Sequence, residues 1–114
     1  VKSDLDLQTI ATLQKLGGSD LLSQMVALFT SHAESALREA SSGLAQGNID
    51  MIRRAAHSLK SSAGNLGATR VQMLADELER LAEQESNEIR AHLADLEHAY
   101  LRAKDRLMRT VEGA

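Results

Sequence analysis

The chain of 114 residues has no cysteine, no proline and no tryptophan, and its only aromatic residues are Phe29 and Tyr100. Without cysteine, disulfides and thiolate metal sites are excluded. Strand-forming runs of β-branched and aromatic residues are missing as well. No apolar run approaches the roughly 20 residues that span a bilayer as a helix, and no signal peptide is visible. A net charge of −3 supplies no footprint for nucleic acid. What remains is a chain 43% hydrophobic, mostly leucine and alanine. By length it is one domain, residues 1–114, with enough chain for a single core.

The apolar residues recur at helical spacing throughout. Asp4 or Asp6 is placed to cap a short first helix carrying Leu7, Ile10, Leu13 and Leu16, closed at Gly17-Gly18. Such a helix is too short to stand alone and is expected to lie across the end of a bundle as a lid. Ser19 reads as the next N-cap, and a long helix follows to about Gln46, with Gly47 as its stop. Its seam is Leu22, Val26, Phe29, Ala33, Leu37, Ala40 and Leu44, and Leu21, Met25 and Leu28 form a second apolar row. Asn48 caps a third helix that runs to Gly67, and Thr69 to Gln72 fits a capping box opening the fourth. A polar turn, Glu83 to Asn87, leads through a Ser86 or Asn87 cap into a last helix with Ile89, Leu93, Leu96, Tyr100, Ala103 and Leu107 on one face; its end, from Val111, is expected to fray. The expected fold is all-α: an antiparallel up-down four-helix bundle with a short extra N-terminal helix.

The third helix carries the distinctive stretch, Ala56 to Ala68. Ile49, Ile52, Ala56, Leu59, Ala63 and Leu66 make its seam. His57, Lys60, Ser61 and Gly64 make a second stripe about 100° away, facing water. One imidazole and one ammonium stand there among small side chains. Glycine inside a helix costs about 1 kcal/mol relative to alanine. Two readings fit Gly64: an early fray point before Gly67, or a gap that lets another protein's backbone approach His57.

These residues resemble the signature of histidine-containing phosphotransfer domains, His-x-Leu-Lys-Gly-small-small-x-x-hydrophobic-Gly-Ala. His57, Leu59, Lys60, Ser62, Ala63, Leu66, Gly67 and Ala68 fall on their positions, and Ser61 replaces the usual glycine. The resemblance implies that His57 accepts a phosphoryl group from an aspartyl phosphate on a response-regulator receiver domain and passes it to another receiver aspartate. Lys60, one turn away, would offset charge on the phosphoryl oxygens. Histidine suits the task because an ordinary imidazole titrates near pH 6.5 and is largely a neutral nucleophile at neutral pH.

No phosphate-binding glycine loop of nucleotide enzymes is present, so self-phosphorylation from ATP is not expected. The domain is expected to bind no cofactor or metal, with Mg²⁺ supplied by the receiver. Ser61, Gly64, Met25, Leu21 and Leu28 are the expected receiver-binding residues. Glu88, His92 and Asp95 share a helix face, for which a solvated surface is the better reading than a metal site. His32 continues the second apolar row and is expected near the patch, partly buried or beside it; His98 shows no constellation. The alternatives are the phosphoacceptor domain of a chemotaxis-type histidine kinase, a dimerising kinase hairpin, and a structural or adaptor bundle. The hairpin class usually carries Glu and then Thr-Pro after its histidine, whereas Ser58 follows here and proline is absent. The expected state is a monomer in the cytoplasm, with no direct membrane contact. The first residue, Val1, is compatible with a piece of a longer protein, such as the module of a membrane-bound hybrid sensor kinase.

Overall fold

The computed structural model describes residues 4–113. Among them are four helices: α1 (Leu7–Gln46), α2 (Ile49–Leu66), α3 (Thr69–Glu83) and α4 (Ile89–Gly113). Strands are absent among the described residues. The four expected seams supply most of the core. Leu22, Ile52, Leu59, Leu66, Leu78, Leu96 and Leu107 are fully buried along it, and no polar or charged side chain among the described residues is buried.

Each helix packs on its neighbours in sequence, and α1 closes the ring against α4. Short connections set the directions. At the end of α1 the Asn48 N–H donates to the Gly43 carbonyl and the Gly47 N–H to the Leu44 carbonyl. The end of α2 repeats the pattern, Ala68 to Ala63 and Gly67 to Gly64. This paired closure needs a left-handed residue, and Gly67 supplies it at φ 79°. After so tight a turn α3 runs back along α2, so residues equally far from Ala68 face each other. His57 opposite Glu79 and Lys60 opposite Asp76 show that register. Pairs such as His32–Ser58 and Tyr100–Glu34 then tie α1 to α2 and to α4.

Asp6 caps α1, its side chain accepting from the Gln8 and Thr9 N–H groups, and Asn48 caps α2 by accepting from the Met51 N–H. Two expectations fail at helix starts. Thr69 does not open a capping box: the N-cap of α3 is Ala68, with no side-chain cap bond. Ser19 is an internal residue of α1 rather than an N-cap.

The expected separate N-terminal helix is likewise not a separate element, because helical structure resumes directly after one non-helical residue. Gly18, at φ 67° and ψ −161°, breaks α1 inside its span. That backbone region is essentially open to glycine alone. A straight helix of 40 residues would measure about 60 Å. The longest dimension of the molecule is 43 Å, so α1 bends. The limb before the bend crosses the α2–α3 turn, where the Asp6 N–H donates to the Gly67 carbonyl at 2.7 Å. Leu5 and Ile10 are buried beneath it. The lid is there as the first limb of α1.

Candidate functional site

His57 lies midway along α2, beside the buried pair Ala56 and Leu59, which anchor that turn to the core. Its side chain is 63% exposed. Nδ1 is 2.9 Å from Oε2 of Glu79 on α3, a carboxylate only 13% exposed. A carboxylate can only accept, so Nδ1 carries the proton and donates it. The lone pair of the ring is therefore left on Nε2, at the other edge of the imidazole. Glu79 thus selects the tautomer of the neutral ring.

The second oxygen of Glu79 serves Lys60, whose Nζ donates to Oε1 at 2.7 Å and to Asp76 Oδ1 at 3.4 Å. The hydrogen bond from Lys60 is the main reason the Glu79 carboxyl is held below its ordinary pKa, with the His57 bond adding to it against the cost of burial. Reciprocally, the bond to Glu79 holds the Lys60 ammonium above its ordinary value. Lys60 was expected to offset charge on phosphoryl oxygens one turn from His57. In this arrangement it is shared by two carboxylates and braces Glu79.

Gly64, for which a fray point and a gap were both open readings, lies within α2. It is half-buried toward α3, where an added Cβ would come within 2.7 Å of Gln72 Nε2. Its lack of a side chain leaves room there for the Gln72 amide. Ser61 is exposed and shares an open hollow with His57, Ser58, Ser62, Asn65 and His32. The neighbouring groove, about 280 Å³, is lined by Met25, Leu28, Phe29, His32, Ser62, Asn65 and Leu66. Leu28 is 71% exposed on its rim, and Met25 packs partly against the core. Leu21 is not part of the groove; its side chain folds over Gly17 near the bend. Thus the structure brings His57, Lys60, Ser61, Met25 and Leu28 to one region, with Gly64 one helical turn beyond Lys60 on α2 and Leu21 outside the groove.

Of the other histidines, His32 is exposed and bonded to Ser58. His92 is part of the α3–α4 packing, its Nε2 at 3.1 Å from the Leu74 carbonyl. Among the described residues no group of three or more His, Cys, Asp or Glu side chains is placed to hold a metal ion. Glu79 was not anticipated, although a signal existed. It lies as far after Ala68 as His57 lies before it, and a tight turn at Gly67-Ala68 makes such positions neighbours.

A helical bundle presenting a solvent-facing histidine in this motif defines a phosphotransfer domain, and these 114 residues contain no kinase domain. The sequence model of the Hpt domain family matches residues 24–110, and the chain belongs to that family, the phosphotransfer carriers of His-Asp phosphorelays. Its fold is similar to that of histidine-containing phosphotransfer protein B from Pseudomonas aeruginosa, with a TM-score of 0.91 and 23% identity over 100% of this chain and 99% of that one. A rice protein described as a histidine-containing phosphotransfer protein is similar with a TM-score of 0.84 and 23% identity, over 96% of this chain and 84% of that one. No curated relative matches the chain significantly.

Proposed function

We propose that His57 is the phosphoacceptor and that its Nε2 is the reacting atom. The observation that carries this reading is the His57–Glu79 bond, which in the neutral ring puts the proton on Nδ1 and the lone pair on the exposed Nε2 edge. The Nε2 lone pair attacks the phosphorus of a receiver's aspartyl phosphate. The P–O bond to the aspartate breaks, the carboxylate leaves with its electron pair, and an N–P bond forms. Nδ1 keeps its proton throughout, so the phosphorylated ring is cationic and Glu79 lies against that charge. The same proton favours the second transfer, because the imidazole departs from phosphorus neutral rather than as an anion. No proton is gained or lost over the two steps.

Lys60 adds positive charge beside the phosphoryl oxygens and holds Glu79 in place. The domain supplies no cofactor of its own, and the receiver brings Mg²⁺ and most of the catalytic apparatus. Leu28, Met25 and Ser61 are the receiver-binding surface best supported by exposure and by the groove beside His57; Leu21 and Gly64 are better assigned to the bend and to the α2–α3 contact. The partner is a response-regulator receiver, engaged by a monomer in the cytoplasm, whether alone or as part of a sensor kinase. No described helix is long and apolar enough to cross a membrane.

The test is incubation with a phosphorylated receiver, scoring acid-labile, alkali-stable phosphate on the chain. The expected result is label on the wild type and none on His57→Gln. Equal label on both overturns the assignment.

A further inference from the structure

The contacts of Glu79 and Lys60 account for the α3 side of His57. On the α1 side stands a second pair that plays no part in them. His32 Nε2 lies 2.7 Å from Ser58 Oγ, and both residues share an open hollow of about 390 Å³ with His57 and Ser61. Ser58 immediately follows His57 and is half-buried, whereas His32 is exposed.

Two observations give this pair a task. The first is the charge balance around His57. On the α3 side one ammonium is shared between Glu79 and Asp76. An incoming phosphoryl group, close to doubly negative, meets there a single cation that two carboxylates also share. The hollow on the α1 side is lined by no carboxylate, only by hydroxyls, an amide and the two imidazoles. Donors for the remaining phosphoryl oxygens are concentrated on that side.

The second observation is the orientation of the hydroxyls. Helical serine and threonine commonly give their proton to a carbonyl one turn earlier. Thr12, Thr30, Ser62 and Thr110 all do so here, to Gln8, Ala27, Leu59 and Arg106. Ser58 instead turns its oxygen toward His32. A hydroxyl has one proton and two acceptor lone pairs. When the His32 Nε2–H donates to Oγ, the hydroxyl proton is released for another acceptor.

We infer that Ser58 donates its hydroxyl proton in a hydrogen bond to a phosphoryl oxygen carried on His57, and that His32 is the positioning residue that orients this hydroxyl. No covalent bond is made or broken by the pair. Its effect is to favour the phosphorylated state of the chain. The inference rests on His57 being the phosphoacceptor.

The test uses the intact chain and a receiver domain able to pass phosphate to it. The readouts are the equilibrium partition of phosphate between the two proteins and the ³¹P resonance of the phosphohistidine. Ser58→Ala is expected to shift the partition about tenfold toward the receiver, as befits loss of a hydrogen bond to an ion, and to move the resonance. His32→Phe is expected to do the same. His32→Gln, whose amide N–H donates to Ser58, restores most of the wild-type partition. The double variant Ser58→Ala with His32→Phe is no worse than either single one, because one hydrogen bond is lost in all three. A Ser58→Ala chain with wild-type partition and resonance overturns the inference, as do single losses that add in the double variant, while phosphorylation at His57 still stands. A wild-type chain that takes no phosphate overturns the proposed function, and this inference with it.

Discussion

At the scale of single residues the decisive side chain is Glu79. It lies 13% exposed between a histidine and a lysine, one oxygen for each. Replacing it by glutamine keeps the shape but removes the charge that stabilises a cationic ring. Initial rates of phosphate uptake from a receiver are expected to fall about tenfold in Glu79→Gln, the effect of losing one charge-assisted hydrogen bond.

The same residue links pH to stability. Its folded pKa lies below the ordinary 4.5, chiefly because Lys60 bonds the ionised form. A lowered carboxyl pKa stabilises the fold above the ordinary value, and that contribution is lost as pH falls through the lowered one. Melting temperatures measured from about pH 6 down to about pH 3 are therefore expected to fall less steeply in Glu79→Gln than in the wild type. For Lys60 the sign is reversed: its contribution is complete below the ordinary 10.5 and is lost as pH rises through the raised value.

His57 and Lys60 were legible in the sequence because a motif carries them on one helix. Glu79 was not, because its role depends on a contact between helices. The mirrored spacing about Ala68 announces such a contact only once the turn is known to be tight.

At the scale of elements the helix ends carry most of the information. Asn48, Gly47 and Gly67 could be read directly, and Asp6 as one of two candidates, since each has the chemistry its position demands: an acceptor at the start, a left-handed residue at the end. The end of α3 could not. There the Ser86 N–H donates to the Leu81 carbonyl and the Glu85 N–H to the Ala82 carbonyl, the closure that elsewhere uses glycine. Glu85 supplies the left-handed backbone itself, at φ 50°. An L side chain costs about 1 kcal/mol or more in that region. Glu85→Gly is accordingly expected to raise stability by about 1 kcal/mol in denaturant unfolding, and an unchanged or lowered midpoint contradicts this.

The capping box at Thr69 was misread because spacing alone does not say which residue opens a helix. The tight turn at Gly67 starts α3 one residue sooner and makes Ala68 the N-cap. The paired glycines were correctly placed at a break. The chain after them needs no new cap, because Gly18 alone absorbs the change of direction.

At the scale of the whole molecule, one long helix is shared by every function. The first limb of α1 closes the bundle over Gly67, and its middle supplies Met25, Leu28 and His32 beside α2. Its other side holds α4: Tyr100 donates to Glu34 at 2.6 Å and Lys104 to the same carboxylate at 2.8 Å. The groove beside His57 thus lies on the α1–α2 side and the Glu34 clamp on the α1–α4 side. The second apolar row was legible as surplus to one seam, but its division between bend and groove depends on the path of α1 after Gly18.

Leu28→Glu puts a charge on the exposed rim of the groove without touching the core. It is expected to weaken receiver affinity about tenfold or more, measured by calorimetry, with the melting temperature unchanged. Wild-type affinity in that variant would move the docking surface elsewhere.

We propose that Glu79 holds the Nδ1 proton of His57 and so directs phosphate to Nε2. This is tested most directly by phosphorylating ¹⁵N-labelled protein and reading the ³¹P–¹⁵N couplings of the phosphohistidine. The phosphoryl group is expected on Nε2 of His57, with Nδ1 still protonated. Phosphate on Nδ1, or on any residue other than His57, would contradict it.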